Sequence, residues 1–142
     1  MQKEEIKNLF MGGIDCSQVV AGYFAEACQM DQETMRRVSA CFGGGMQCGE
    51  TCGAVTGALM VLGMKYGTAK EGDAAQKEKM LTKIAEFKQA FGDVYPSCIC
   101  KELLGYNIAD PEEFQKILDE GLLFDFCPGV VEDTIKILEK IL

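Results

Sequence analysis

Apolar residues recur at intervals of three and four along nearly the whole chain, and no segment alternates apolar and polar residues over four or more positions. A helix buries a stripe of period 3.6 and a half-buried strand buries a face of period two, so this pattern predicts an all-α fold. The 142 residues are the length of one domain, residues 1–142. A chain of that size buries roughly two thirds of its unfolded surface. With 48% hydrophobic residues to fill the core, a single compact domain of about six to eight helices is expected, and it needs no cross-links to fold.

Individual helices follow from the same spacing. Asp15 is placed to cap a helix in which Cys16, Val20, Tyr23 and Ala27 share a stripe, with Val19 and Phe24 beside it, so that Cys16 points inward. Asp31 opens the next helix, whose buried face is expected to be Met35, Val38, Cys41 and Phe42, and Gly43 to Gly45 end it. Thr51 is the expected N-cap of the most apolar helix, Cys52 to Tyr66, which Gly67 stops. Glycine in a helix interior costs up to about 1 kcal/mol against alanine. Gly53, Gly57 and Gly63 therefore imply tight packing or a nearby ligand on that helix. A polar helix from about Gly72 to Phe91 carries Met80, Ile84, Phe87 and Phe91 as its core stripe. Pro96 is expected to open a short helix through Leu104. Asp110 and Pro111 begin another, to about Glu120, and Pro128 starts the last, with Val131, Ile135, Leu138 and Leu142 on one face.

Eight cysteines and no histidine decide which chemistry remains. Without imidazole, a Ser-His-Asp hydrolase, a Cys-His protease and a His-ligated zinc enzyme are excluded, and sulfur is the reactive group left. A net charge of −8 and a pI near 4.6 argue against nucleic acid, whose phosphates call for clustered Lys and Arg. The apolar run from Cys52 to Met64 falls short of the roughly 20 residues that span a bilayer, so no membrane insertion is expected. The segment MQKEEIKNLF has no apolar h-region, and a reducing cytoplasm is the expected location.

The cysteines are not equivalent. Cys52 lies at the expected start of a helix, where free N–H groups and the positive dipole end favour thiolate. The glycine-rich approach GGGMQCGET leaves it room. Its thiol is therefore expected to have the lowest pKa of the eight and to alkylate first, although a small residue wedged into a glycine-lined helix contact fits the same spacing. Cys48, in the preceding loop, is a candidate resolving thiol. Cys98 and Cys100 would point about 200° apart on a helix, so only one can face a site, and Cys100 lies nearer the apolar face. Cys127, just before Pro128, is expected to act from a loop. Cys28 and Cys41 read as buried small hydrophobes, and Met46 as core filler. No CxxC occurs, so any sulfur cluster must be assembled by the fold.

These residues also carry a resemblance. Asp15-Cys16-Ser17-Gln18, GGGM at 43 to 46, GETCGAVTGALMVLGMKYG from Gly49, CKELLG from Cys100 and the late Cys127-Pro128 resemble the bacterial and archaeal family of redox-active proteins named for its C, GCAxxG, C, C signature. The resemblance spans nearly the whole chain. It implies that Cys16, Cys52, Cys100 and Cys127 form the functional set, with Cys28, Cys41, Cys48 and Cys98 outside it. A similar domain occurs in the split-Soret type of cytochrome, where an iron–sulfur centre has been proposed beside the haems. This chain has no CxxCH, so only the sulfur part of that likeness applies.

Three functions are then in competition. In the first, Cys16, Cys52, Cys100 and Cys127 hold an iron–sulfur cluster or cycle between dithiol and disulfide in electron transfer, with Cys52 and Cys100 as the reacting pair, Gly53 and Gly57 beside the cofactor, and a separate redox partner. In the second, the same thiolates bind zinc or a soft metal ion without turnover. In the third, the chain is a helical interaction protein with structural thiols. A homodimer is a candidate assembly in each case.

Overall fold

The computed structural model describes residues Met1–Leu142. It is all-α, with eight α-helices: α1 (Lys3–Met11), α2 (Cys16–Phe24), α3 (Gln32–Ser39), α4 (Gly53–Tyr66), α5 (Ala74–Val94), α6 (Cys100–Leu104), α7 (Pro111–Asp119) and α8 (Cys127–Ile141). The nearest approach to a sheet is an isolated antiparallel bridge between Thr51 and Ile99. No helix is long and apolar enough to cross a membrane.

Side-chain caps set half of the helix starts, those of α2, α3, α5 and α7. Gln18 Oε1 accepts from the Asp15 N–H at 2.9 Å, one half of a capping box that opens α2. Asp31 Oδ2 accepts from the Thr34 N–H at 2.8 Å to open α3, and Asp110 Oδ1 accepts from Glu112 and Glu113 at 2.9 and 3.3 Å ahead of Pro111. The main core joins α1, α2, α4, α5 and α8 through Ile6, Val20, Phe24, Val61, Leu62, Phe87, Val131 and Ile135, with Met80, Ile84 and Phe91 of the α5 stripe in place. α4 lies against α2 so closely that a Cβ on Gly57 would come within 2.9 Å of the Ser17 carbonyl oxygen and 3.0 Å of Val20 Cβ. A smaller cluster of Cys100, Leu104 and Ile117 ties α6 to α7.

Several local expectations are corrected. The α2 stripe breaks at Tyr23, which is exposed, and the helix stops at Phe24, which leaves Ala27 exposed in a 3-10 turn. In α3, Met35 is buried but Val38 is 55% exposed and Cys41 is also exposed. The chain tightens into a 3-10 turn over Ala40–Phe42, which rotates the later residues off the 3.6-residue stripe. Ser39 takes the inward position instead, donating to the Met35 carbonyl at 2.7 Å while its own carbonyl accepts from Ser17 Oγ at 2.8 Å. Thr51 is not the α4 cap. Its backbone is extended against Ile99, and Cys52 becomes the N-cap. The residues after Pro96 are drawn out by the same pairing, so α6 begins only at Cys100. Cys127 is the first residue of α8 and not part of a loop, because Leu122–Phe126 already coils and leads into the helix without a break.

Candidate functional site

The pairing around Thr51 and Ile99 builds the first half of the site. The Cys52 N–H donates to the Cys98 carbonyl at 2.7 Å, and the Cys100 N–H donates to the Glu50 carbonyl at 2.6 Å. Two short stretches far apart in sequence are thereby zipped together, with Cys52 as the N-cap of α4 beside Cys100 as the first residue of α6. The second half comes from Cys16, first residue of α2, and Cys127, first residue of α8. Four helix starts, each carrying a cysteine, thus converge on one cavity of about 340 Å³.

The rest of the wall is mainly apolar: Phe10, Leu104, Ile108, Phe114, Phe126 and Val131. Its polar members are few. Asp15 lines it, with burial raising its carboxyl pKa, and so does Gln47, whose Nε2 donates to the Gly43 carbonyl at 2.9 Å. The roof is an unusual turn in which φ is positive at four successive residues, Gly44, Gly45, Met46 and Gln47. Non-glycine residues such as Met46 and Gln47 adopt this left-handed region at a cost of order 1 kcal/mol each, so the turn persists only because its surroundings impose it. At Gly45 a Cβ would strike the backbone of Glu50, with the Glu50 carbonyl oxygen 2.6 Å away. Gly53 lets Cys16 in: a Cβ there would overlap Cys16 Sγ and come within 3.0 Å of the Phe42 carbonyl oxygen.

Two influences compete at the sulfurs. The N–H groups of Gly44 and Ser17 favour a thiolate at Cys16, and those of Ala54 and Val55 favour one at Cys52. A helix end adds about 0.3–1 kcal/mol in the same direction. Burial in an apolar cavity acts the other way and wins. It pushes Cys16 up to about 12 and Cys52 and Cys100 up to about 11, against an ordinary value of 9.0, and raises Cys127 as well. Each of the four is pushed further by the charge of at least one of the others. The expectation of a depressed pKa at Cys52 is therefore corrected: the helix N-terminus is there, but the cap residue faces an apolar-walled cavity and its desolvation is the larger effect.

Among the residues singled out from sequence, Cys16, Cys52, Cys100, Cys127 and Gly53 all line this cavity. Gly57 does not. It lies one turn further along α4, with the backbone of Ser17 packed over it, so its small size serves the contact between α2 and α4, whereas Gly63 faces open space and the close contact expected there is absent. Cys48 and Cys98 lie outside the cavity and are exposed, Cys48 donating to the Gly45 carbonyl at 3.4 Å. Cys28 is half-buried against the main core, whereas Cys41 is exposed, contrary to the expectation that both are buried. Sequence reading missed Asp15 and Gln47 as wall residues. Their signal was positional, Asp15 preceding Cys16 and Gln47 lying in the glycine-rich loop.

All eight cysteines are free thiols, and no three His, Cys, Asp or Glu side chains come together in an arrangement that could hold a metal ion. The donor chemistry nevertheless suits a soft centre, with four sulfurs on one cavity and peptide N–H groups directed at two of them.

A family model described as "Putative redox-active protein (C_GCAxxG_C_C)" matches residues 14–141. No match was found among curated proteins or among solved structures.

Proposed function

The chain belongs to the C_GCAxxG_C_C family of redox-active proteins, and on that premise we propose that Cys16, Cys52, Cys100 and Cys127 are its redox unit. The observation that carries this reading is the convergence of four cysteine-bearing helix starts on one cavity, with no other titrating side chain in the wall except Asp15. Two neighbouring thiols there give up two electrons and two protons to a two-electron acceptor and close a disulfide. A dithiol donor reverses the step. Cys52 and Cys100, set diagonally across the pairing of residues 50–52 with 98–100 and both on the cavity wall, are the pair assigned to react first. Asp15 is the one carboxylate at hand to take a thiol proton. The apolar wall keeps water from the exchanging sulfurs.

A second reading rests on the N–H groups of Gly44 and Ser17 at Cys16 and of Ala54 and Val55 at Cys52. Hydrogen bonds to ligating sulfur are one of the means by which proteins tune iron–sulfur centres. In that reading the four cysteines hold an iron–sulfur cluster, which supplies one-electron transfer. The chain's part is to exclude solvent and to direct peptide dipoles at the sulfurs. A zinc ion held by the same thiols would instead fix the helix starts without redox turnover.

Anaerobic purification, a visible spectrum, and iron, sulfide and zinc analysis separate these outcomes. A colourless, metal-free protein that loses two thiols per disulfide on mild oxidation is the expected result. Colour with matching iron and sulfide selects the cluster, and one zinc per chain with no redox change removes the redox reading.

A further inference from the structure

Of the cavity thiols Cys100 is buried and Cys16, Cys52 and Cys127 are half-buried, and disulfide exchange requires an attacking sulfur to reach the oxidant. We infer that Cys98 is the exchange thiol through which the cavity set meets low-molecular-weight disulfides in solution, a role that rests on the thiol–disulfide reading above.

Cys98 is exposed, and its carbonyl accepts the Cys52 N–H at 2.7 Å directly beside the Thr51–Ile99 bridge. The pairing runs antiparallel, so Cys52 and Cys98 are directly opposed. Cys52 and Cys98 share one backbone hydrogen bond beside the bridge, and opposed residues so placed in a regular antiparallel sheet have Cα atoms about 5.5 Å apart. That separation falls within the roughly 4.4–6.8 Å that a disulfide spans. Cys52 belongs to the cavity wall and Cys98 does not, so the pair straddles the boundary between cavity and solvent. Cys48 is equally exposed, but its backbone pairs with no cavity cysteine.

The exchange balances in two steps and an internal transfer. The Cys98 sulfur attacks a disulfide RS–SR, a Cys98 S–SR bond forms, the RS–SR bond breaks, and one RSH leaves with the Cys98 proton. The Cys52 sulfur then attacks Cys98, the Cys52–Cys98 bond forms, and a second RSH leaves with the Cys52 proton. The small disulfide is reduced to two thiols while two protein thiols are oxidised. Attack of Cys100 on Cys52 moves the bond inward and returns Cys98 as a free thiol, with no further change in electron count.

The metal-free reduced protein, treated with cystamine, tests this. Cystamine is a cationic disulfide suited to a chain of net charge −8. In wild type the Cys98 adduct should be transient. In Cys52→Ser it should accumulate, while adducts on the exposed Cys41 and Cys48 are the same in both proteins, as read by peptide mass spectrometry. Cys98→Ser, a change at an exposed position, should slow oxidation of the cavity thiols at least tenfold, and Cys48→Ser should leave the rate unchanged. Cavity oxidation in Cys98→Ser at the wild-type rate, or equal build-up of the Cys98 adduct in wild type and Cys52→Ser, overturns the role of Cys98 alone. Cavity thiols of the wild type that stay reduced overturn it together with the thiol–disulfide reading.

Discussion

At Cys52 the same backbone position carries two opposite instructions. At the start of α4 it lies near the peptide N–H groups of Ala54 and Val55, which favour thiolate, and as a wall residue it is desolvated, which disfavours thiolate. The second effect is the larger, and a reactivity order follows. Limiting iodoacetamide at neutral pH on the reduced, metal-free protein should label the exposed Cys41, Cys48 and Cys98 first and the four cavity cysteines last, as mapped by peptide mass spectrometry. Earlier labelling of Cys52 would mean that the cavity is wetter than its apolar wall implies. The pH dependence of stability has a definite sign. Thiols whose pKa is raised on folding hold more protons in the native state, so their contribution is fully present below about 9.0 and is lost as pH rises through about 11 to 12. Urea midpoints of the reduced protein should fall over that window. In a variant with Cys16, Cys52 and Cys100 changed to Ala the fall should be shallower, and an equal fall in both proteins would contradict the assignment. The rank of individual cysteines was partly legible in sequence, because Cys52 and Cys127 stand beside helix-start signals. Their protonation was not, since it depends on walls contributed by distant residues such as Phe114 and Val131.

Among the elements, α4 is the one whose composition records its neighbours most directly. Gly53 and Gly57 are one turn apart and face different things, the Cys16 sulfur in one case and the α2 backbone in the other. An alanine at either site gains up to about 1 kcal/mol of helix propensity. It also forces an overlap of the kind that costs about 1–3 kcal/mol in a packed core. Gly57→Ala should lower the melting temperature and leave the accessibility of the cavity thiols unchanged. Gly53→Ala should do both, displacing Cys16 so that it alkylates with the exposed set. If Gly57→Ala melts at the wild-type temperature, the close approach of α2 and α4 is wrong. The helix starts at Asp15, Asp31 and Asp110 were readable because a cap and its partner lie within four residues. The extended run before Cys100 was not, because its partner is the segment at 50–52, and no local rule links residues nearly fifty positions apart.

Over the whole molecule, the helical period and the absence of alternating segments gave the all-α class, and the four-cysteine set came from the motif resemblance. What brings the four together is tertiary: α2 on α4, the pairing of 50–52 with 98–100, and the packing of α8 against α1, α2, α4 and α5. One fold thus turns four separated helix starts into a single apolar-walled cavity, with two further thiols, Cys48 and Cys98, exposed outside it. The most direct test of that arrangement is disulfide mapping after metal removal, full reduction and equilibrium oxidation in a low-molecular-weight disulfide buffer. The account predicts bonds that join members of the set Cys16, Cys52, Cys100 and Cys127, with Cys28 and Cys41 still free. Bonds confined to Cys28, Cys41, Cys48 and Cys98, with the four cavity cysteines still reduced, would contradict it.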